Sequence, residues 1–340
     1  MRFGIANPGS NINSIRIIRI WNQAFAIPPG LHRSPRRLEG KIVMTATTET
    51  PLLDPVFLHK LEQLELVSRK IFVGRMKGER RSKRRGSSVE FAEHRNYAMG
   101  DDLRHIDWNV YGRLDKLFLK LFLEEEDLHV YTLLDTSLSM DFGTPTKLRY
   151  GKQVAAALAF IGLVNHDRVL VDTFSARLDQ GIHGIRGRSQ MWRVVQYLER
   201  LEPSGASNLT AAAREFAIRH AGKGVVVVIS DFLDKRGYQE ALRYFLARNM
   251  DIYVVQVLSQ EEVEPELVGD LRLVDAEDDE IAEITISAPL LKRYRDNLNA
   301  FVAGLKDWCT SRGITYIFTT NQFPFDKLIL NYLRERGLVK

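Results

Sequence analysis

The chain has 340 residues, 45% of them apolar and 27% charged, the make-up of an ordinary globular protein with room for a sizeable core. No run reaches the ~18 apolar residues that a membrane-spanning helix needs, and one cysteine, Cys309, excludes a disulfide framework and a cysteine metal site and fits a reducing, cytoplasmic setting. The net charge of +5 is uneven: residues 1–43 hold seven Lys or Arg and one Glu, while the remainder is near balance with 41 basic and 42 acidic residues.

Residues 1–43 are rich in chain breakers and show no packed-element pattern. They lack the apolar core of a signal peptide, and their Arg-rich, acid-poor composition faintly resembles a transit peptide. They read as a disordered tail or as a wrongly assigned start, with Met44 opening the natural chain. A second region, 44–125, begins with helical spacing over PVFLHKLEQLELVSRKIFV. A basic tract follows, Arg75 to Arg85, with seven cations in eleven residues and Gly and Ser on its flanks, which marks a loop or linker. Residues 89–115 are charged and aromatic without clear period.

From 116 the pattern changes. KLFLKLFLE and LHVYTLLD predict strands, either a hairpin across EEED or neighbours in one sheet. Then come a helix at 147–166, a strand at 167–175, helices at 188–201 and 209–221, and a strand at 224–231. A helix at 237–249 and a strand at 251–259 follow. LRLVDAEDDEIAEITIS predicts an edge hairpin around an acidic turn. A long helix over LLKRYRDNLNAFVAGLKDWCTSRG, a strand at 314–320 and a last helix complete the series. Trp192 and Tyr197 at near-helical spacing read as core, Cys309 as a buried inert thiol, and the acidic stretch 261–283 as a solvated rim. Such alternation predicts an α/β domain over 126–340, a mostly parallel sheet with helices on both faces, preceded by a small helix-and-strand segment.

In sheets of this kind ligands sit outside the carboxyl ends of the strands. Three segments there carry oxygen side chains: Asp135, Ser137 and Ser139 in DTSLSM, Ser207 in PSGASNL, and Asp231 after VVVVIS. Two carboxylates and three hydroxyls suit a hard divalent ion such as Mg²⁺ or Mn²⁺, which keeps a vertex for an outside oxygen. The competing reading is that Asp135 and its serines only cap or brace the loop.

The pattern Asp-x-Ser-x-Ser, a hydroxyl in a Gly-containing loop, and a later Asp resembles the metal-ion-dependent adhesion site of von Willebrand factor A domains. Asp135, Ser137 and Ser139 match it fully, and Asp231 matches its last ligand. Ser207 stands where the family has Thr. The block EFAEHRNYAMGDDLRHIDWNVYGRLDKLFLKLF in turn resembles the signature of the bacterial domain-of-unknown-function family 58. Arg95, Tyr97, Gly100, Asp101, Asp102, Arg104, Asp107, Trp108 and Arg113 fill its places. Its acids and arginines read as a self-satisfied ion-pair network with Trp108 as packing anchor, or as a docking surface. The resemblance implies a Rossmann-like von Willebrand A domain in a non-catalytic adaptor. Its partner would offer an acidic residue to the metal, and it would work with a MoxR-type AAA+ ATPase in maturing or remodelling another protein.

Two other functions meet obstacles in the sequence. A metal-dependent phosphohydrolase of the aspartyl-phosphate kind needs a second Asp two residues after the first, where this chain has Ser137. The eight histidines form no HxxxH pair. Nucleic-acid binding through Arg75–Arg85 has the charge but no interleaved aromatic residue for stacking.

Overall fold

The computed structural model describes residues 13–17, 52–64, 90–123, 128–220, 224–248, 250–265, 269–275, 281–335 and 337–338. They fall into two compact units, one of residues 1–67 and 129–340, the other of 68–128. The basic tract Arg75–Arg85 lies outside the described residues.

The larger unit opens with strand β1 (Asn13–Ile17) and helix α1 (Pro55–Leu61). The reading of 1–43 as lacking any packed element is corrected by β1, whose Ser-Ile-Arg-Ile alternation has the period of a strand. In the smaller unit, β2 (Glu90–Asn96), α2 (Trp108–Leu114) and β3 (Phe118–Leu123) follow in turn, and β2 pairs antiparallel with β3. The expected hairpin of 116–123 with the next strand does not form.

Six strands build the main sheet: β4 (His129–Asp135), β5 (Arg168–Phe174), β6 (Leu178–Ile185), β7 (Gly224–Ser230), β8 (Asp251–Leu258) and, near the C-terminus, β11 (Thr315–Thr320). Their order is β11-β8-β7-β4-β5-β6, parallel except for β6. The Gly-containing, polar sequence LDQGIHGI hid β6, which gives no apolar run. The acidic hairpin β9 (Gly269–Asp275) and β10 (Ile281–Ile286) forms, but it pairs with β1 as a separate three-stranded sheet rather than edging the main one.

Helices cover both faces of the sheet. On one lies α3 (Lys147–Val164), buried on nearly every side because VAAALAFIGLV offers no polar face. Its Gly151 lets it approach β4 closely: a Cβ there would stand 2.7 Å from Leu134 Cδ1. Helix α1 belongs to this layer and not to the signature segment with which it was read. Phe57 meets Phe325 edge-on at 4.9 Å, and Asn165 Nδ2 at the end of α3 donates to Leu64 O. Also in this layer, α4 (Met191–Arg200) buries Val194 and Leu198 and leaves Trp192 exposed, so Trp192 is not core.

The other face carries α5 (Leu209–Arg219), α6 (Gln239–Ala247) and the long α8 (Ala288–Thr310), with the single turn α7 (Gln260–Val263) between the last two. Phe216, Phe245, Leu305 and Cys309 pack there against Tyr131, Leu133, Val226 and Val254. Burial pushes the Cys309 thiol up to about 12, which makes it inert.

Candidate metal centre

Chain order fixes where a site can form. From β4 the chain crosses to β5 on one side, while β7 lies on the other. The carboxyl ends of β4 and β7 therefore flank a topological switch point, where the loops part and leave a crevice. Asp135 is the last residue of β4, and Asp231 follows the last residue of β7.

All five predicted residues meet there. Asp135 Oδ1 accepts from the Ser137 backbone N–H at 2.9 Å, and Oδ2 accepts from Ser207 Oγ at 3.2 Å and Ser230 Oγ at 2.7 Å. Ser137 Oγ and Ser139 Oγ lie 3.0 Å apart. Ser139 in turn stands near enough to the Asp231 carboxylate to favour its ionised form. Two loops hold the set together: Leu138 N–H donates to Gly205 O, and Ser204 N–H donates to Thr136 O. Gly205, at φ +65°, makes the turn that returns Ser207 to Asp135. Asp234 Oδ2 accepts from Leu209 N–H and ties the loop after β7 to the start of α5. Phe232, next to Asp231, is fully buried at φ +61°, a strained conformation for an aromatic residue and of the kind that gathers at functional sites.

Three further residues belong to the site and were not singled out in the sequence. Ser230 is one. Lys147, fully buried at the start of α3, places Nζ 2.8 Å from Asp231 Oδ2 and 2.9 Å from Glu262 Oε1. Glu262 therefore leaves the acidic rim to which 261–283 was assigned. Its carboxylate also accepts from Ser259 N–H in a capping box that closes α7. Lys147 shares its turn with Arg149 and lies five residues before Lys152, so nothing in the sequence set it apart.

The electrostatics follow from these neighbours. Burial, and then the negative charge of Asp231, push the Asp135 carboxyl up to about 6. Burial pushes Asp231 the same way, but the Lys147 ammonium more than offsets it and leaves Asp231 below the usual range. Burial also raises Glu262, despite Lys147. Lys147 itself, which burial would discharge, is held above its ordinary value by its two carboxylates. With all four ionised the cluster carries a net charge of −2, the complement of one divalent ion. Lys147 reaches Asp231 and not Asp135, so the oxygens around Asp135 remain short of positive charge. An all-oxygen donor set of two carboxylates and three hydroxyls fits Mg²⁺ or Mn²⁺. The sequence offered only Asp135 and Asp231 to this balance; Glu262 and Lys147 join it in the folded chain. All five side chains are buried, Ser207 the most exposed at 7%. The rim at Asp141, Ser204 and Gly205 is exposed. An outside oxygen could approach these buried side chains only if that rim moved.

In the smaller unit the signature residues form local pairs. Arg95 Nη2 meets Asp101 Oδ1 at 2.8 Å, and Arg104 Nη2 meets Asp102 Oδ2 at 2.7 Å. Asp107 caps α2 through the N–H groups of Asn109 and Val110 and bonds His94 Nε2 at 2.9 Å. The His94 bond leads the causes that bring the Asp107 carboxyl to about 2. Gly100, at φ +105°, takes a turn conformation that a side chain would strain. The ion-pair reading thus holds, but Trp108 is no packing anchor. It is 62% exposed, touching Tyr111 edge-on, and Met99, Leu103 and Leu114 are exposed near it in sequence.

Fold and site together define a Rossmann-like α/β protein of the von Willebrand A type with an oxygen-lined crevice at its switch point. The family model "Protein of unknown function DUF58" matches residues 93–300, and the chain belongs to that family. Uncharacterized proteins of Mycobacterium tuberculosis and Mycobacterium bovis are 28% identical over 242 residues, 70% of this chain and 76% of theirs. Among solved structures, the conserved hypothetical protein BatB of Bacteroides thetaiotaomicron aligns at 14% identity and TM-score 0.39, over 62% of this chain and 98% of its own. An aerotolerance-related membrane protein of Bacteroides fragilis aligns at 18% and 0.37, over 61% and 99%.

Proposed function

We propose that the chain is a non-catalytic, protein-binding adaptor whose crevice holds Mg²⁺ or Mn²⁺ through Asp135, Ser137, Ser139, Ser207 and Asp231. The observation that carries this reading is the convergence of those oxygens, from three separated segments, on one buried cluster with a negative charge excess. The bound ion would supply a positive centre for an acidic residue of a partner protein. The residues of this chain set its position and admit the partner by opening the rim over Ser207. The exposed apolar residues of the signature segment offer further contact area. A MoxR-type AAA+ ATPase as partner, in the maturation or remodelling of another protein, rests on the family resemblance, and a cytoplasmic setting on the lone buried cysteine. The absence of catalysis rests on Ser137, which stands where a phosphate-transferring site would need its second Asp.

Calorimetric titration of the full chain with Mg²⁺ and Mn²⁺, beside Asp135→Ala, tests the metal. Binding at millimolar affinity or tighter in the wild type, and none in the variant, is expected. No heat in either, or equal binding in both, overturns the reading. Pull-down of a purified MoxR-type ATPase from the same genome, with Mg²⁺ and with chelator, then tests the partner.

A further inference from the structure

A second cluster lies away from that crevice. Asp172 sits in the middle of β5 on the face that its neighbours Leu170 and Phe174 give to the apolar core. A carboxylate there needs compensation, and two imidazoles supply it. His183, on the neighbouring edge strand β6, places Nε2 2.5 Å from Asp172 Oδ1. His220, the residue that caps the end of α5, places Nε2 3.2 Å from Asp172 Oδ2. Gly181 N–H donates to Oδ1 at 3.1 Å and fixes the carboxylate plane. The three ligand atoms all lie within 4.8 Å of one another.

We propose that Asp172, His183 and His220 form a binding site for one divalent ion of the Zn²⁺ class. Two imidazole nitrogens and one carboxylate oxygen are a donor set that Zn²⁺ favours, with water completing its four positions. Mg²⁺ prefers oxygen alone, so the two sites sort ions by chemistry. Tetrahedral ligands at Zn–N distances are about 3.3 Å apart. His220 is already at that spacing from Asp172 Oδ2, and His183, which bonds the other oxygen Oδ1, has to shift so that both imidazoles and one carboxylate oxygen, now within 4.8 Å of one another, close on a single ion. Both imidazoles present the same atom, Nε2, that would ligate. The Gly181 amide is the sort of outer bond that orients a metal-binding carboxylate. The carboxyl end of α5 favours a cation beside His220. Asp172 is 2% exposed and His183 29%, so the site is rooted in the core and open to solvent at one ligand. A bound ion would clip the β5–β6 edge to the end of α5.

This inference is independent of the Mg²⁺ reading. The test is titration of chelator-treated full chain with Zn²⁺ by calorimetry and with Co²⁺ by visible absorption. Asp135→Ala, His183→Ala and His183→Gln are compared with the wild type. His183 is surface-accessible, so its variants should fold, and circular dichroism checks that they do. Expected are one equivalent of Zn²⁺ at micromolar affinity or tighter and the absorption of four-coordinate Co²⁺, both retained in Asp135→Ala. In both His183 variants affinity should fall by about 100-fold or more, since losing even an outer-sphere partner costs 10–100-fold. No stoichiometric Zn²⁺ in the wild type, or unchanged affinity in the folded His183 variants, overturns the proposal. The cluster is then a hydrogen-bonded triad only.

Discussion

Asp135 shows how one carboxylate can set a pH dependence. Its carboxyl is raised from 3.8 to about 6 by burial and by Asp231. The folded chain therefore holds this proton more tightly than the unfolded chain does. A raised carboxyl contributes stability that is fully present below its unfolded value, near 4, and is lost as pH rises through about 6. Without divalent ions, the melting temperature should decline across that window relative to Asp135→Asn, which has no proton to lose. The span corresponds to about 3 kcal/mol. A bound divalent ion replaces the proton, so the stabilisation by added Mg²⁺ should be large at pH 7.5 and small at pH 5. Melting curves of both proteins at several pH values, with Mg²⁺ and with chelator, would check this. Parallel curves for wild type and Asp135→Asn would refute it. Lys147 explains why Asp231 does not behave alike: its charge is already met inside the fold at 2.8 Å.

At the scale of elements, the approach of α3 to β4 at Gly151 is the contact that seats Asp135. The nearest atom to a Cβ there is Leu134 Cδ1, fully buried and one residue before Asp135. Gly151→Val should destabilise by about 1–3 kcal/mol through overpacking, lowering the denaturant midpoint. It should also weaken Mg²⁺ binding by displacing the end of β4. An unchanged midpoint would show that the core yields at this point. The sequence made most such elements legible because burial on both faces writes itself as unbroken apolar runs. GVVVVIS gave β7, DIYVVQVL gave β8, and VAAALAFIGLV gave α3. What it hid follows the same logic. β6 is an edge strand of glycine and polar residues, so it has no run to read. The β3–β4 pairing was misjudged because local patterns do not say which strand a neighbour will choose. That Asp135, Ser137, Ser139, Ser207 and Asp231 would gather at one sheet edge was legible from their places at strand ends and loops. Lys147 and Glu262 lie 115 positions apart, and Asp172, His183 and His220 come from two strands and a helix end. Only the folded chain brings such groups together.

On the scale of the whole molecule, the division into two units separates two kinds of apolar residue that look alike in sequence. Near α1, Leu52, Leu53, Phe57, Leu61 and Leu64 are buried, with Phe57 against Phe325 from the far end of the chain. In α2 of the other unit, Trp108, Tyr111 and Leu114 share one helical stripe and are exposed. Truncation at the two places therefore has opposite consequences. Phe57→Ala removes a buried ring and leaves a cavity, at a cost of about 3–5 kcal/mol. For a unit of this size that is a drop of about 6–20 °C in melting temperature. Trp108→Ala removes a larger side chain but little buried area, and stability should move by no more than about 0.5 kcal/mol. Thermal melts of the two variants beside the wild type decide the matter. An equal loss in both would mean that Trp108 is a buried anchor after all. A loss confined to Phe57→Ala would show that the residues before Leu64 are part of the sheet domain's core, and that the signature segment keeps its largest apolar side chain for something other than its own fold.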